Sequence, residues 1–341
     1  MSGRAIAKRS PRAARKQQDM EPTAQAQQQQ RQAQQQAQQQ QQQQRQAQQQ
    51  ESDLAEVLDV EAHVDMAQIV ALSRNGVPER LRPEAWKYML GVSRPERSEE
   101  MSLRKRFQLE YADLEKAWRA GGNAEMARAV KAEVKPHRTE QGASWDAKTR
   151  GRLESILCCY LHAQGEELMP GTAYLLCPFV HVFPDDVEAY ACFVELTKSF
   201  ERGLSFEGCK QMHVTFMTLL RHTLPELYRT FEEQECLDGG SGHAWLASWL
   251  RFLLARELPL PCVLRLWDTY LSYFSSHGRE ATLQLHIYVC LATLEACNED
   301  LMELDAAEVL WYLQHLPELD VAAILTQAVN IKDDVIARSI L

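Results

Sequence analysis

Histidine and cysteine are residue types that can bind a metal ion or act as nucleophiles. The chain has ten His and nine Cys, but their spacing matches neither a zinc site nor an H-E-x-x-H or G-x-S-x-G motif, and no phosphate-binding glycine loop is present. The pairs His162/His181 and His213/His222 lie in apolar helical stretches, which favours structural histidines. We therefore expect no metal, no cofactor and no covalent catalysis.

The arrangement of the cysteines indicates a reducing compartment. None of them forms a C-x-x-C pair, and most lie inside apolar runs, as is typical of buried thiols. No apolar run approaches the roughly 18 residues of a membrane span, and the N-terminus lacks the apolar core of a secretory signal. We expect a cytoplasmic protein.

Charge is distributed unevenly along the chain. The first fifty residues hold eight basic and two acidic side chains, a net charge of +6. The whole chain carries −10, so residues 51–341 carry −16. An acidic body argues against nucleic acid as the main partner, because phosphate binding needs a basic surface.

The composition predicts two regions. Residues 21–50 are mostly Gln, and such a segment cannot bury enough apolar surface to offset its chain entropy, so we predict a disordered basic tail over residues 1–57. Residues 58–336 show helical periodicity throughout and no sustained period of two. We predict an all-α fold there, a single large multi-helix domain of two helical lobes.

Individual stripes and breaks support this prediction. One long helix is predicted from apolar residues spaced four, four, three and four apart: Leu103, Phe107, Tyr111, Leu114 and Trp118. Helix breaks are predicted at the Gly76-Val77-Pro78 turn and at Gly121-Gly122-Asn123.

Three strings together resemble the TBC-domain family of Rab GTPase-activating proteins. They are N-G-V-P-E-R-L-R-P-E-A-W-K-Y-M-L-G-V (Asn75–Val92), E-L-P-L-P-C-V-L-R-L-W-D-T-Y-L (Glu257–Leu271) and L-M-E-L-D-A-A-E-V-L-W-Y-L-Q-H-L-P (Leu301–Pro317). The resemblance covers about residues 69–320 in the family's order. Its signature positions here are Gly76, Pro78, Arg82, Trp86, Arg265, Trp267 and Asp268. We expect Arg265 and Asp268, one turn apart, to form a structural charge pair beside Trp267.

The resemblance implies an arginine finger in an I-x-x-D-x-x-R pattern. Val130 and Glu133 stand at the Ile and Asp positions, but the strict Arg position holds Pro136. Arg138 fits only with a shift of two residues. Either a bulge brings Arg138 to the finger position, or Arg138 is an ordinary exposed loop residue.

The resemblance also implies a glutamine finger in a Y-x-Q-G pattern. Gly171 matches, but Pro170 stands where the Gln is expected, and proline has neither a side-chain amide nor a backbone N–H with which to orient water. Gln164-Gly165 is a weaker substitute because it lies too close to the preceding helix.

These patterns predict a regulator of a Rab-type small GTPase. It would act on the GTP form and stimulate hydrolysis in trans, with catalysis impaired by Pro170, and it would have no substrate chemistry of its own. The alternative is a catalytically inactive adaptor that binds a GTPase or another complex partner. Either would reach endomembranes only peripherally, through the GTPase or the basic tail.

Overall fold

The computed structural model describes residues 45–135, 145–165, 167–237 and 241–340, together with residues 38, 41 and 42. In these residues the regular structure is helical, and the one β-type contact is an isolated bridge between His63 and Glu96. The predicted all-α fold is confirmed.

From Met66 onward, fourteen α-helices and one 3₁₀ helix, Arg97–Glu99, follow each other with short connections in the described residues. The α-helices are α1 (Met66–Ser73), α2 (Arg82–Met89), α3 (Glu100–Gly121), α4 (Ala124–Glu133), α5 (Ala147–Gln164), α6 (Thr172–Val182), α7 (Asp186–Leu204), α8 (Phe206–Thr223), α9 (Pro225–Glu233), α10 (Ser241–Phe252), α11 (Leu260–Ala296), α12 (Asn298–Glu303), α13 (Ala306–Gln314) and α14 (Val321–Ala337).

Short polar side chains fix where several helices begin. Asn123 caps α4 by accepting the backbone N–H of Glu125 at 2.8 Å, which places the predicted break directly after α3. Asp146 caps α5 by accepting the N–H of Thr149 at 2.7 Å. Such caps satisfy N–H groups that have no partner inside the helix. Both helices carry residues of the candidate site, so their starting points matter for its geometry.

The longest helix, α11, forms the centre of the fold. It packs against α1, α2, α8 and α14, and its buried face includes Trp267, Asp268 and Tyr270. A kink interrupts it at Gly278, where φ is +81°, a backbone conformation that costs glycine little. The helices α3 to α7 pack on one another.

The folded domain begins earlier than its predicted start at residue 58. The described chain divides into two units between residues 52 and 53. In the second unit residues 53–58 are helical, and Leu54, Val57 and Leu58 belong to its hydrophobic core. Their i, i+3, i+4 spacing gives the segment an apolar face, so the prediction of disorder is wrong for residues 53–57. Residues 45–52 of the first unit are also helical, and residues 1–37 lie outside the described part.

The nine cysteines are all free thiols. Eight are buried and Cys209 is half-buried, as the sequence predicted. Burial raises the pKa of most of these thiols, to about 12 for Cys177. Among the described residues no helix combines the length and apolarity needed to cross a membrane.

Candidate functional site

A buried carboxylate joins the first and the second of the three family-like strings. Asp268 on α11 accepts the N–H of Val77 at 2.8 Å, the indole N–H of Trp86 at 2.8 Å and two guanidinium N–H groups of Arg82 at 3.0 and 3.1 Å. Arg82 also donates to the Val77 carbonyl at 2.8 Å. Burial raises the pKa of Asp268, and the Arg82 charge opposes that rise. Four hydrogen bonds therefore fix the opening turn and α2 on the central helix.

The two signature tryptophans lie in one aromatic cluster. The rings of Trp86 and Trp267 are 6.2 Å apart, and Phe179 of α6 contacts them at 5.7 and 5.6 Å. Both tryptophans are almost fully buried. The cluster ties α2, α11 and α6 together, so these residues are structural.

The predicted pair of Arg265 with Asp268 is wrong. Arg265 donates to the hydroxyl of Thr269 at 2.8 Å, whereas the ion-pair partner of Asp268 is Arg82. The oxygens of Asp268 are occupied by donors from the opening string, and Arg265 lies instead against Gly76, where a Cβ would be 3.0 Å from its Cδ. Gly76 has a φ of +108°, so this turn needs glycine for both its backbone angle and the close approach of Arg265.

Pro78 and Arg82 stand where the opening turn becomes α2. The Pro78 carbonyl accepts the N–H groups of Leu81 at 2.9 Å and Arg82 at 3.0 Å. This turn delivers Arg82 to the first position of α2, from which its guanidinium reaches Asp268. The opening signature thus positions one partly buried arginine against the buried Asp268.

The positions that match the two finger motifs come together away from this cluster. Glu133, at the end of α4, accepts the N–H of Gly171 at 2.6 Å. Val130, one turn earlier, is fully buried and anchors α4. A carboxylate on a backbone N–H is a charge-assisted hydrogen bond and roughly twice as strong as a neutral one. The contact brings together residues 38 positions apart.

Gly171 is required at this junction for steric reasons. Its φ is +99°, and a Cβ there would lie 2.3 Å from the ring of Phe252. It caps the N-terminus of α6. Pro170, at the position expected for Gln, is exposed immediately before it. Gln164 ends α5 and Gly165 is its left-handed cap, with φ of +67°, so this pair serves the helix end.

Arg138 falls among residues 136–144, which lie outside the described part. The described residues on either side both contact the Gly171 region. Before the gap, Glu133 binds Gly171. After it, the ring of Trp145 lies 5.1 Å from that of Tyr174, whose N–H donates to the Gly171 carbonyl at 3.0 Å.

Sequence reasoning missed two residues beside this junction. Tyr174 lies in the first turn of α6, and the guanidinium carbon of Arg256 lies 5.8 Å from the centre of its ring. Burial raises the pKa of Tyr174, and the charge of Arg256 opposes the rise. Arg256 is exposed, next to the Glu257–Leu271 string. The available signal was its position directly before that string, which begins at Glu257.

A strained turn holds Arg256 in place. Leu253 and Leu254 both have positive φ, 51° and 62°, which costs about 1–2 kcal/mol per residue for side chains other than glycine. The turn is closed by hydrogen bonds from Leu254 N–H to Trp249 O at 3.3 Å and from Ala255 N–H to Phe252 O at 2.9 Å. Both leucines are buried, and this burial offsets the strain.

Glu257 turns inward from the same turn. It is 4% exposed, and one carboxylate oxygen accepts the hydroxyl of Ser248. The other oxygen has no hydrogen-bond partner among the described residues. Burial raises the pKa of Glu257 to about 7, because an isolated buried charge is poorly solvated.

Comparisons with known proteins identify related sequences. A family model for the Rab-GTPase-TBC domain matches residues 79–302. TBC1 domain family member 22A of Mus musculus is 26% identical over 302 residues, 79% of this chain and 58% of the relative. The GTPase-activating protein gyp1 of Schizosaccharomyces pombe is 24% identical over 296 residues, 75% of this chain and 55% of the relative. The chain thus spans less than two thirds of either relative.

Solved structures share the fold. The crystal structure of the Ypt/Rab-GAP domain of Gyp1p superposes with a TM-score of 0.70 and 20% identity, covering 84% of this chain and 98% of that one. The flagellar RabGAP TBC domain of Chlamydomonas gives a TM-score of 0.57 with 16% identity, covering 80% of this chain and 86% of that one. Because the family match covers more than half of the sequence, this chain belongs to the Rab-GTPase-TBC domain family.

Proposed function

We propose that this chain binds a Rab-type small GTPase in its GTP form and stimulates GTP hydrolysis in trans. The observation that carries the proposal is the hydrogen bond between Glu133 and Gly171. It joins the two positions that match the family's finger motifs. A GTPase docked over this junction would present its nucleotide to whatever side chains stand there.

Chemistry at such a site consists of stabilising charge and orienting water. The transferring phosphoryl group carries negative charge on its oxygens, and an arginine supplied in trans accelerates hydrolysis by roughly 10³–10⁵. We propose that Arg138 supplies this guanidinium. Pro170 has no amide with which to hold the attacking water, so the GTPase's own glutamine would have to do so.

A second candidate function is a catalytically inactive adaptor. It is favoured by Pro170, which is exposed at the position where an amide would be needed. An adaptor would bind the GTPase, or another partner of a complex, without accelerating hydrolysis. In either case the protein would join endomembranes peripherally, through its GTPase, and otherwise remain in the cytoplasm.

The two functions are separated by GTP hydrolysis and binding measured on a panel of Rab-type GTPases. The enzyme regulator predicts faster hydrolysis by at least one GTPase, and the adaptor predicts binding without acceleration. If the chain neither binds nor accelerates any member of a broad panel, both proposals are wrong.

Replacing Arg138 by alanine should lower stimulated hydrolysis at least about 100-fold, because an arginine finger supplies roughly 10³–10⁵. Arg138→Lys should restore little, since an ammonium group lacks the two-pronged geometry of guanidinium. Arg128→Ala is the matched control, because Arg128 is exposed on neighbouring α4 and donates to its own helix. Equal activity of Arg138→Ala and wild type would exclude Arg138 as the finger.

Pro170→Gln should raise stimulation in the wild-type background and not in Arg138→Ala. Met169→Gln places the same amide one residue away on the exposed surface and should leave the rate unchanged. An equal gain from both variants would refute a position-specific role for residue 170.

A further inference from the structure

Arg256 is an exposed cation beside the junction of the finger motifs. Its guanidinium lies over the ring of Tyr174, and Tyr174 donates its backbone N–H to Gly171. Four residues before Arg256, Phe252 lies so close to Gly171 that a Cβ there would clash with its ring. The segment from Phe252 to Arg256 therefore contacts Gly171 through its first residue and Tyr174 through its last.

The guanidinium of Arg256 is held by its contact with the Tyr174 ring rather than by a direct salt bridge among the described residues. Its sequence neighbour Glu257 is buried and accepts the Ser248 hydroxyl, and the charge of Arg256 acts on it by lowering its pKa, against the larger rise that burial causes.

The backbone beneath Arg256 is held in an unfavourable conformation. Two consecutive leucines with φ of 51° and 62° precede it. Residues in such strained conformations persist where the surrounding structure enforces them, and they concentrate at binding sites. Here the turn directs Arg256 to the surface while its leucines stay in the core. The ring of Tyr174 further limits the freedom of its side chain.

We infer that Arg256 is a partner-binding residue that contacts an oxyanion of the docked GTPase. A docked GTPase offers two kinds of oxyanion, a planar carboxylate side chain and a tetrahedral phosphate of its bound nucleotide. A guanidinium is permanently charged and can donate two parallel hydrogen bonds to either. The inference rests on the proposed function, since it takes the junction of Glu133 and Gly171 as the docking site. It adds a contact that neither finger motif contains.

Arg256→Ala in the full chain should reduce stimulated hydrolysis, or GTPase binding if the chain is an adaptor, by about 10- to 100-fold, the usual loss for one charge-assisted hydrogen bond. Arg256→Glu should lose more, because it adds repulsion. Arg221→Ala is the matched control. Arg221 is likewise exposed and lies 6.0 Å from the ring of Tyr228, on α8, and this variant should behave like wild type.

The source of the oxyanion follows from two binding measurements on the same GTPase, loaded either with a non-hydrolysable GTP analogue or with GDP and aluminium fluoride. If Arg256 contacts a phosphate, Arg256→Ala should lower kcat and should weaken binding to the aluminium fluoride complex more than binding to the GTP-analogue complex. If Arg256 contacts a carboxylate, Arg256→Ala should raise KM and should weaken binding to both complexes equally. Either pattern supports the inference.

Arg256→Ala activity and binding within about twofold of wild type, as for the Arg221 control, would overturn the inference. It would also fail if Arg256→Ala lowered the melting temperature by many degrees and Arg256→Lys restored stability and activity together, since that is the behaviour of a structural residue. If wild type neither binds nor stimulates any GTPase, the proposed function fails first, and that result is separate from an active wild type with an indifferent Arg256.

Discussion

Asp268 should contribute more to stability than any other single charged residue described above, and its replacement by alanine should lower the free energy of unfolding by about 3–5 kcal/mol. Its fully buried carboxylate accepts four hydrogen bonds from Val77, Arg82 and Trp86. Removing one partner of a buried ion pair costs about 3–5 kcal/mol, because the remaining charge is left uncompensated. The N–H groups of Val77 and Trp86 also lose their acceptor, a cost of about 1–3 kcal/mol for a buried donor, but relaxation of the turn lets them find other partners, so the total stays near that for the broken ion pair.

Urea unfolding of the full chain, followed by circular dichroism, measures this loss. Asp268→Asn keeps the shape and one acceptor oxygen, so it should lose less than Asp268→Ala. Combining Asp268→Ala with Arg82→Ala should cost clearly less than the sum of the single variants, because the two side chains are direct partners. The matched control is Asp334→Ala, which removes an exposed pair with Arg338 and should cost at most about 0.5 kcal/mol.

The reasoning would be refuted by a stable Asp268→Ala protein. A loss below about 1 kcal/mol, or strict additivity with Arg82→Ala, would mean that the buried network does not hold the opening turn on α11. A fully stable variant that lost only GTPase regulation would assign Asp268 to the functional surface instead.

The remaining predictions concern pH and the start of the domain. The pKa of Glu257 rises from 4.5 to about 7 on folding. Its contribution to stability is therefore full below about pH 4.5 and is lost as pH rises through 7. At 1.36 kcal/mol per pKa unit, the shift from 4.5 to about 7 corresponds to a loss of about 3 kcal/mol. Glu257→Gln should therefore gain stability relative to wild type between pH 5 and pH 8 in urea unfolding, and an equal difference at both pH values would contradict this. Deleting residues 1–50 should leave the melting temperature nearly unchanged, whereas deleting residues 1–58 should lower it, because Leu54 is fully buried. Equal melting temperatures for the two deletions would show that residues 53–58 add nothing to the core.

The sequence was sufficient for the helical fold because helices are specified by near neighbours. Apolar spacing predicted α3, and its residues Leu103 and Tyr111 are buried. The glycines that end α3 and Asn123, which caps α4, act within a few residues, through backbone freedom and capping. The same local view failed for residues 53–57, where polar composition was weighed above the i, i+3, i+4 spacing of three apolar residues.

The charged residues show why spacing alone was insufficient. Arg265 and Asp268 are three apart on one helix, a spacing that permits an ion pair. The carboxylate is instead bound by Arg82, 186 residues away in sequence. Among candidate partners, burial selects the one that satisfies the most donors and acceptors at once, and that selection depends on how α2 packs on α11.

The sequence by itself determined the fold class, the family resemblance and the unusual residues at the finger positions, Pro136 and Pro170. Only the tertiary structure decided that Glu133 binds Gly171 and that Arg256 lies over Tyr174. The periodicity of a helix is written into residues three and four apart. A contact between α4 and α6, or between the strained turn and α6, exists only after the core has packed, because only packing brings distant segments within hydrogen-bond distance.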